Sequence, residues 1–396
     1  MTAVAGPIGP IGPLGPSAPN GPAGLDDPVA IRSAGRELLS LALLDARNHL
    51  LQRLAQDESP PALRLAAQAG AYQERWLACH VQRGRGEGCD GTGVRLAGVE
   101  PALAAWLSPQ GGGPQPEQLR AYLAQTLDIT LDLLASTPED DAALHFFRQS
   151  LMHEDRLCEA LDERLRRGHA PARVQREPLW LPAQRWMLGS APGGLVPFNE
   201  RWAHEVKLPE FEIDAQAVNW AQWVEFADDG GYDRAELWQG PGWAWVQASG
   251  RRAPAHVEQL RGGVLVHRGR GPSAAVQRAA AGQAVMHVTR HEAQAWCAWA
   301  GRRLPTEPEW ELAASTAASR GFVWGDAFEW VLGSARLWPN APAAAPGAID
   351  GLPAGAAGVL RGGSFATRPR WRHPKARRFA APAGDTLFCG FRSCAF

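Results

Sequence analysis

The stretch from His291 to Glu311 reads HEAQAWCAWAGRRLPTEPEWE and is the most informative part of this 396-residue sequence. Its first ten residues have the apolar periodicity of a helix. Thr306 is followed three residues later by Glu309, which is the pattern of a capping box at the start of a second, short helix. These residues specify a scaffold, and they do not by themselves indicate a reaction.

Three further motifs lie in the C-terminal half, one before this stretch and two after it. They are Val218–Trp223 with Gly230-Gly231-Tyr232, then Leu360–Phe365 (LRGGSF), then Gly390-Phe391-Arg392. Together the four motifs resemble formylglycine-generating-enzyme-like domains. The resemblance implies a loop-rich α+β domain of the C-type-lectin-like kind. In this domain Arg361-Gly362-Gly363 is a tight backbone corner that needs glycine.

The N-terminal half has a helical pattern instead. Leucines recur at helical spacing up to Leu54, and Pro60-Pro61 ends that run. Thr137 and Pro138 supply an N-cap and a first-turn proline for the last of these helices. Four amphipathic helices joined by loops predict a four-helix bundle. The predicted helices span residues 38–54, 62–81, 116–135 and 138–167.

The chain is therefore expected to have several regions. Residues 1–26 are rich in Gly and Pro and are expected to be disordered. We expect a four-helix bundle of the DinB-like kind at 27–170, a Pro-rich linker at 171–200, and the formylglycine-generating-enzyme-like domain at 201–396.

A DinB-like bundle ahead of such a domain is similar to the ergothioneine-pathway sulfoxide synthases, and several segments are closer to the selenoneine synthases. The resemblance covers about residues 30–396. It implies an O2-dependent non-heme iron enzyme that joins a sulfur or selenium donor to the imidazole of a histidine betaine, trimethylated histidine. The segments that carry it are Leu41–His49, Phe146-Phe147-Arg148, Met152–Asp155 and Leu360–Pro374.

The resemblance also implies three histidine ligands for the iron, two of them in an H-E-x-x-H pair on the fourth helix. Here that helix reads His153-Glu154-Asp155-Arg156-Leu157, so Leu157 replaces the second histidine. Gln68 stands at the position of the ligand on the second helix. His153 is the one family ligand that remains. Fe(II) is therefore the expected cofactor if the chain is active, and no cofactor is expected if it is not.

The same resemblance assigns substrate contacts to Arg156, Arg378 and Phe379. It identifies no catalytic residue, because no tyrosine follows Tyr232 to serve as a proton donor. We expect the substrate cleft between the fourth helix, near His153, and the C-terminal segment from Phe379 to Arg392, since clefts favour domain junctions.

Two interpretations stay open from these residues: an iron-dependent C–S or C–Se bond-forming oxygenase, and a relative that keeps the fold without iron. Formylglycine-generating activity is excluded, because the two metal-binding cysteine positions are Thr367 and Arg372. His49 and His145 are interpreted as helix-surface or cap residues. The basic cluster from Arg368 to Arg378 is interpreted as the solvated face of a loop.

Charge and composition narrow the class of protein. Lys and Arg number 40 against 41 Asp and Glu, a balance that argues against a nucleic-acid partner. No apolar run reaches the roughly 20 residues that span a bilayer. The N-terminus lacks the features of a signal peptide, and the six scattered cysteines are expected to be reduced. These observations predict a cytoplasmic protein with small-molecule partners and no membrane partner.

Overall fold

The structure is a computed structural model, which describes residues 24–78, 98–270, 274–339, 341–342, 348–349, 351–355 and 357–396. Most of the predicted disordered tail and the predicted end of the second helix lie outside the described residues. In the described part of the chain, no helix is long and apolar enough to cross a bilayer.

The N-terminal part is a helical bundle. α1 and α2 both pack against α4 and α5, and their buried apolar side chains form two clusters that fill the interior. α2 continues into a π-helical turn, Glu74–Ala78, and the short α3 was not predicted from the sequence. The helices are α1 Arg36–Leu54, α2 Pro60–Gln73, α3 Leu103–Leu107, α4 Pro116–Ala135 and α5 Asp141–Leu165.

The start of α5 differs from the prediction. Its N-cap is Asp140, whose side chain accepts a hydrogen bond of 2.8 Å from the backbone N–H of Ala143. Thr137, predicted as the cap, instead donates its hydroxyl to the carbonyl of Leu133 at 2.7 Å and so helps to close α4. The prediction was wrong because both residues are good caps, and the spacing of the turn selects between them.

The C-terminal part is a loop-rich α+β domain, as predicted. Its largest sheet has the strand order β10-β9-β8-β11, in which β11 runs parallel to β8 and the other pairs are antiparallel. The four strands are β8 Phe328–Ser334, β9 Gly358–Arg361, β10 Arg377–Ala380 and β11 Cys389–Phe391.

Smaller sheets surround this one. They pair β1 with β4, β2 with β3, and β5, β6 and β7 in that order. These strands are β1 Leu179–Leu181, β2 Gln184–Leu188, β3 His204–Leu208, β4 Phe211–Ile213, β5 Val257–Gln259, β6 Leu265–Arg268 and β7 Ala275–Arg278.

Four helices pack beside the sheets, and their starts follow from local sequence. Thr306 and Glu309 form the predicted capping box, and Thr289 and Glu292 form a second one. Gly362 has a φ of +78°, and a Cβ there would lie 2.8 Å from the Trp310 ring, so this corner needs glycine. The helices are α6 Trp220–Asp228, α7 Gly240–Ser249, α8 Arg290–Trp299 and α9 Glu307–Thr316.

Candidate functional site between the bundle and the sheet domain

One face of α5 carries three carboxylates toward the C-terminal domain. Asp155, Glu159 and Glu163 are four residues apart in turn, so they lie along the same side of the helix. All three are buried. Buried carboxylates need hydrogen-bond partners, and each of these receives them from the C-terminal domain.

Asp155 is bound by Arg370 in a two-pronged ion pair. Nε of Arg370 lies 2.6 Å from Oδ2 of Asp155, and Nη2 lies 2.9 Å from Oδ1. The indole N–H of Trp371 donates to the same carboxylate at 2.7 Å. Arg370 also binds Asp45 of α1. Burial alone would raise the pKa of Asp45, but hydrogen bonding to Arg370 and the charges of Arg368 and Arg370 lower it.

Glu159 is held by hydroxyl groups. One of its oxygens accepts hydrogen bonds of 2.6 Å from Ser364 and from Thr367, which lie in the turn after β9. Thr367 is one of the two positions at which formylglycine-generating enzymes carry a metal-binding cysteine. The other, Arg372, donates to backbone carbonyls of the same turn. This turn therefore binds α5 and has no thiol.

Glu163 is held more loosely. The guanidinium of Arg378 lies 3.4 and 3.5 Å from its two oxygens, and the backbone N–H of Phe388 lies 3.4 Å away. Burial raises the pKa of Glu163 to about 7, with Arg378 opposing the rise and Glu159 adding to it. Arg378 also lies 3.6 Å from Glu159. The carboxyl of Glu163 is therefore able to change charge near neutral pH.

The interpretation of the basic cluster as a solvated loop face was wrong. Arg370 and Arg377 are buried. Arg377 forms an ion pair with Glu307 of α9 at 2.7 and 3.0 Å, just as Arg370 does with Asp155. The sequence shows six cationic side chains close together, but the acidic partners that allow them to be buried lie far away along the chain.

A cavity of about 30 Å³ lies beside these ion pairs. Arg156 of α5 and Arg378 of β10 both line it, together with Glu159, Phe328 and Trp371. The structure thus brings two of the three predicted substrate-binding residues together, and their role in binding stays a prediction.

The other predicted site residues lie elsewhere. Phe379 packs against the C-terminal core, because the alternation of side chains along β10 turns it away from the face that carries Arg378. His153 does not line the cavity; its ring packs on Tyr72 of α2, with the ring centroids 4.9 Å apart.

His153 is partly buried beside α2. Its Nδ1 is buried and makes no hydrogen bond within the described residues. Burial, assisted by the charge of Arg156, lowers the pKa of His153 to about 4, so the imidazole is neutral at physiological pH. A neutral imidazole is the form that binds a transition metal.

Among the residues that the structure describes, the rest of a three-histidine iron centre is lacking. Leu157 is 6% exposed and belongs to the apolar cluster around α2 and α4, and Gln68 is exposed. Glu154 is bound by Arg47 at 2.6 Å and lies beside Gln73. Within the described ranges, no three His, Cys, Asp or Glu side chains are grouped so that they could hold a metal ion. The residues described do not fit the iron centre that the resemblance implies.

Two other histidines of the bundle were interpreted from the sequence as surface or cap residues. His145 is buried and packs edge-on against Phe146, with the ring centroids 5.0 Å apart, so that interpretation was wrong. His49 is partly buried, and burial together with the charge of Arg53 lowers its pKa to about 4.

The acidic face of α5 was not predicted. Its pattern is visible in the sequence, because three carboxylates at intervals of four residues share one side of a helix. The residues missed are Asp155, Glu159 and Glu163, with Ser364, Arg370 and Trp371 as their partners.

Comparisons with known proteins agree with this architecture. Residues 170–340 match the sulfatase-modifying factor enzyme 1-like domain. The chain is 31% identical to the hercynine oxygenase of Mycolicibacterium smegmatis, over 70% of this chain and 77% of that protein. It is 30% identical to that of Mycobacterium tuberculosis, with the same coverage.

A third hercynine oxygenase, from Mycolicibacterium thermoresistibile, is 28% identical over 90% of this chain and 94% of its own length. The similarity therefore extends well beyond the sulfatase-modifying factor domain and includes the bundle. This chain therefore belongs to the hercynine oxygenase family.

Proposed function

We propose that this chain binds the histidine betaine substrate of its family, hercynine, at the junction between α5 and β10, with its charged end at the cavity beside Arg378, and that it has lost the family's iron centre. The observation that carries the proposal is the state of the ligand positions. His153 is the one imidazole among them, and Leu157 is packed in an apolar cluster. A leucine side chain offers no lone pair to a metal.

The cavity suits a zwitterion with a carboxylate and a trimethylammonium group. Arg156 and Arg378 supply positive charge on its wall, and an arginine binds a carboxylate through paired hydrogen bonds. Phe328 and Trp371 also line it, and aromatic faces attract quaternary ammonium groups. Glu159 adds a carboxylate on the same wall.

The ion pairs of Arg378 with the two glutamates of α5 are long. Its distances of 3.4 to 3.6 Å to Glu163 and Glu159 exceed the roughly 2.7–2.9 Å of a strong charge-assisted hydrogen bond. A substrate carboxylate can therefore compete for this guanidinium. Protonation of Glu163 near neutral pH would release it further.

A second function is favoured by a different observation. The similarity to hercynine oxygenases extends over 70 to 90% of the chain, so the chain could retain their chemistry. It would then be an iron-dependent enzyme that joins a sulfur or selenium donor to hercynine. That function needs metal donors in addition to His153.

Two measurements on the full chain separate these functions. Iron bound per chain is measured by elemental analysis after anaerobic incubation with Fe(II), and hercynine binding to the metal-free protein is measured by calorimetry. We expect hercynine to bind without iron and Arg378→Gln to weaken binding about tenfold, ~1.4 kcal/mol. Arg185→Gln, at an exposed arginine of β2, is the matched control and should bind like wild type.

Each of the other results has a definite meaning. Stoichiometric iron, together with an O2-dependent product from hercynine and a thiol or selenol, would establish the second function. Failure of the metal-free protein to bind hercynine would disprove the proposed one.

A further inference from the structure

A second cavity, of about 40 Å³, lies where the residues just after α5 meet β6 and Phe388, the residue before β11. Among the described residues it shares no lining side chain with the cavity beside Arg378. Its walls hold Arg166, Arg268 and four histidines, and its apolar surface includes Phe365 and Phe388. The proposed function makes no use of it.

The charges of this cavity are unbalanced. Among the described residues that line it, none is an Asp or a Glu. Arg166 donates to the carbonyl of Gly269 at 2.5 Å, and Arg268 donates to that of Gly168 at 2.7 Å. Within the described residues neither guanidinium forms an ion pair. Two partly buried cations beside a cavity, with carbonyls and no carboxylates as partners, favour an anionic ligand.

The inner wall carries two histidines in an unusual conformation. His256 and His287 have φ values of +65° and +59°, and their rings meet edge to face with centroids 4.9 Å apart. Residues other than glycine rarely adopt positive φ, and such strain is concentrated at functional sites. The surroundings therefore impose a specific position on both imidazoles.

The hydrogen bonding of His287 fixes its chemical character. Its Nδ1 lies 2.9 Å from the carbonyl oxygen of Asp385, which can only accept. Nδ1 must therefore carry the proton. Burial, with a smaller effect from His256, lowers the pKa of His287 to about 4. At neutral pH the ring is thus uncharged, and Nε2 is an acceptor that suits a ligand with a hydroxyl or amino donor.

We propose that this cavity binds a small organic carboxylate that also carries a hydrogen-bond donor, such as a 2-hydroxy acid. The carboxylate pairs with Arg166 and Arg268, and the donor group pairs with the imidazole of His287. The volume limits the ligand, since it holds on the order of three water-sized groups. Glycolate is therefore a suitable probe.

The test compares three ligands of nearly equal size on the full chain. Glycolate has both groups, acetate lacks the donor, and glycolamide lacks the charge. Binding is measured by ligand relaxation in NMR and by calorimetry. We expect affinity to fall in the order glycolate, acetate, glycolamide. The Arg166→Gln/Arg268→Gln double variant should weaken glycolate at least about tenfold, ~1.4 kcal/mol.

Variants separate the two recognition elements. His287→Phe should reduce the preference for glycolate over acetate without abolishing acetate binding. Arg185→Gln is the control for general loss of charge, and circular dichroism checks that each variant folds. If the double variant fails to fold, Arg268→Gln alone gives the test, with a smaller loss expected.

Opposite results would overturn the proposal. Equal binding of glycolate and glycolamide, or binding that is indifferent to both arginine substitutions, would do so. Binding of inorganic phosphate without glycolate would exclude a carboxylate. Arg268→Gln should leave hercynine binding unchanged, so this test and that of the proposed function can fail separately.

Discussion

Two faces of α5 differ in their chemical groups within a few residues. The face toward the bundle interior carries His153 and Leu157, and it lacks the donor atoms for an iron ion. The face toward the C-terminal domain carries Asp155, Glu159 and Glu163, and each of these has partners across the junction. Under the proposed function the first face no longer binds a metal, whereas the buried carboxylates of the second face all have hydrogen-bond partners.

This difference between the two faces shows that packing of the domains and binding of a metal place separate requirements on α5. The acidic face is needed for the bundle to pack on the C-terminal domain, since a buried carboxylate without a partner is costly. The histidine face is needed only if iron is bound. A chain can therefore lose the metal and retain the fold, as long as substitutions such as Leu157 keep the interior apolar.

The largest effect is expected from removing an ion-pair partner of the acidic face, the side of α5 that carries Asp155, Glu159 and Glu163. Arg370→Ala leaves Asp155 buried without its ion-pair partner and should lower the free energy of unfolding by about 3–5 kcal/mol. Denaturation by urea measures the free energy of unfolding of each variant. Arg185→Ala removes an exposed ion pair with Glu205 and should cost at most about 1 kcal/mol. Equal losses in the two variants would mean that the junction ion pair contributes no more than a surface pair.

The second largest effect is expected in Fe(II) binding on the face that carries His153 and Leu157. Leu157→His places a second imidazole four residues from His153 and should raise Fe(II) affinity at least about tenfold, ~1.4 kcal/mol. Adding Gln68→His should give a smaller gain, because that side chain is exposed. Competitive titration with Co(II) measures both.

His153→Ala is the control for this metal prediction, and it should remove the gain in each background. Tight Fe(II) binding by the wild-type chain that survives His153→Ala would place a metal site elsewhere. It would also contradict the view that the histidine face has lost its function.

The smallest effect is expected in the pH dependence of stability, through Glu163, whose contacts are the longest of the three carboxylates on the acidic face. The pKa of Glu163 rises from 4.5 to about 7 on folding, so folding favours the protonated form. The stability gained is complete below pH 4.5 and is lost as pH rises through about 7. Glu163→Gln stays neutral, so its stability relative to wild type should increase between these pH values. Denaturation curves at several pH values measure this, and a constant difference would show that Glu163 does not titrate there.

Local features of the fold were predictable from the sequence. The third predicted helix, Pro116–Ala135, has the predicted bounds as α4, because proline at the first turn and apolar periodicity act within the helix itself. The capping box of Thr306 is equally local. The α+β class of the C-terminal domain followed from ordered motifs that resemble a known family.

The partners across the junction could not be predicted in this way. Asp155 and Arg370 lie 215 residues apart in sequence, and no local pattern connects them. Arg370 thus appeared to belong to a solvated loop. Phe379 was assigned to the substrate site from a resemblance alone, whereas the pleat of β10 directs it into the core. Long-range pairing decides which charged side chains are buried.

The parallel pairing of β11 with β8 has a consequence for synthesis of the chain. Glu329 of β8 is buried and bound by Arg392, which lies 63 residues later, just after β11. Before the ribosome has made that arginine, Glu329 lacks its ion-pair partner and has the indole N–H of Trp310 as a donor, so burial of its charge would be costly. We therefore expect the tryptophan-rich core around Glu329 to close late in synthesis, and a pause in translation before Arg392 to leave that core open to chaperones.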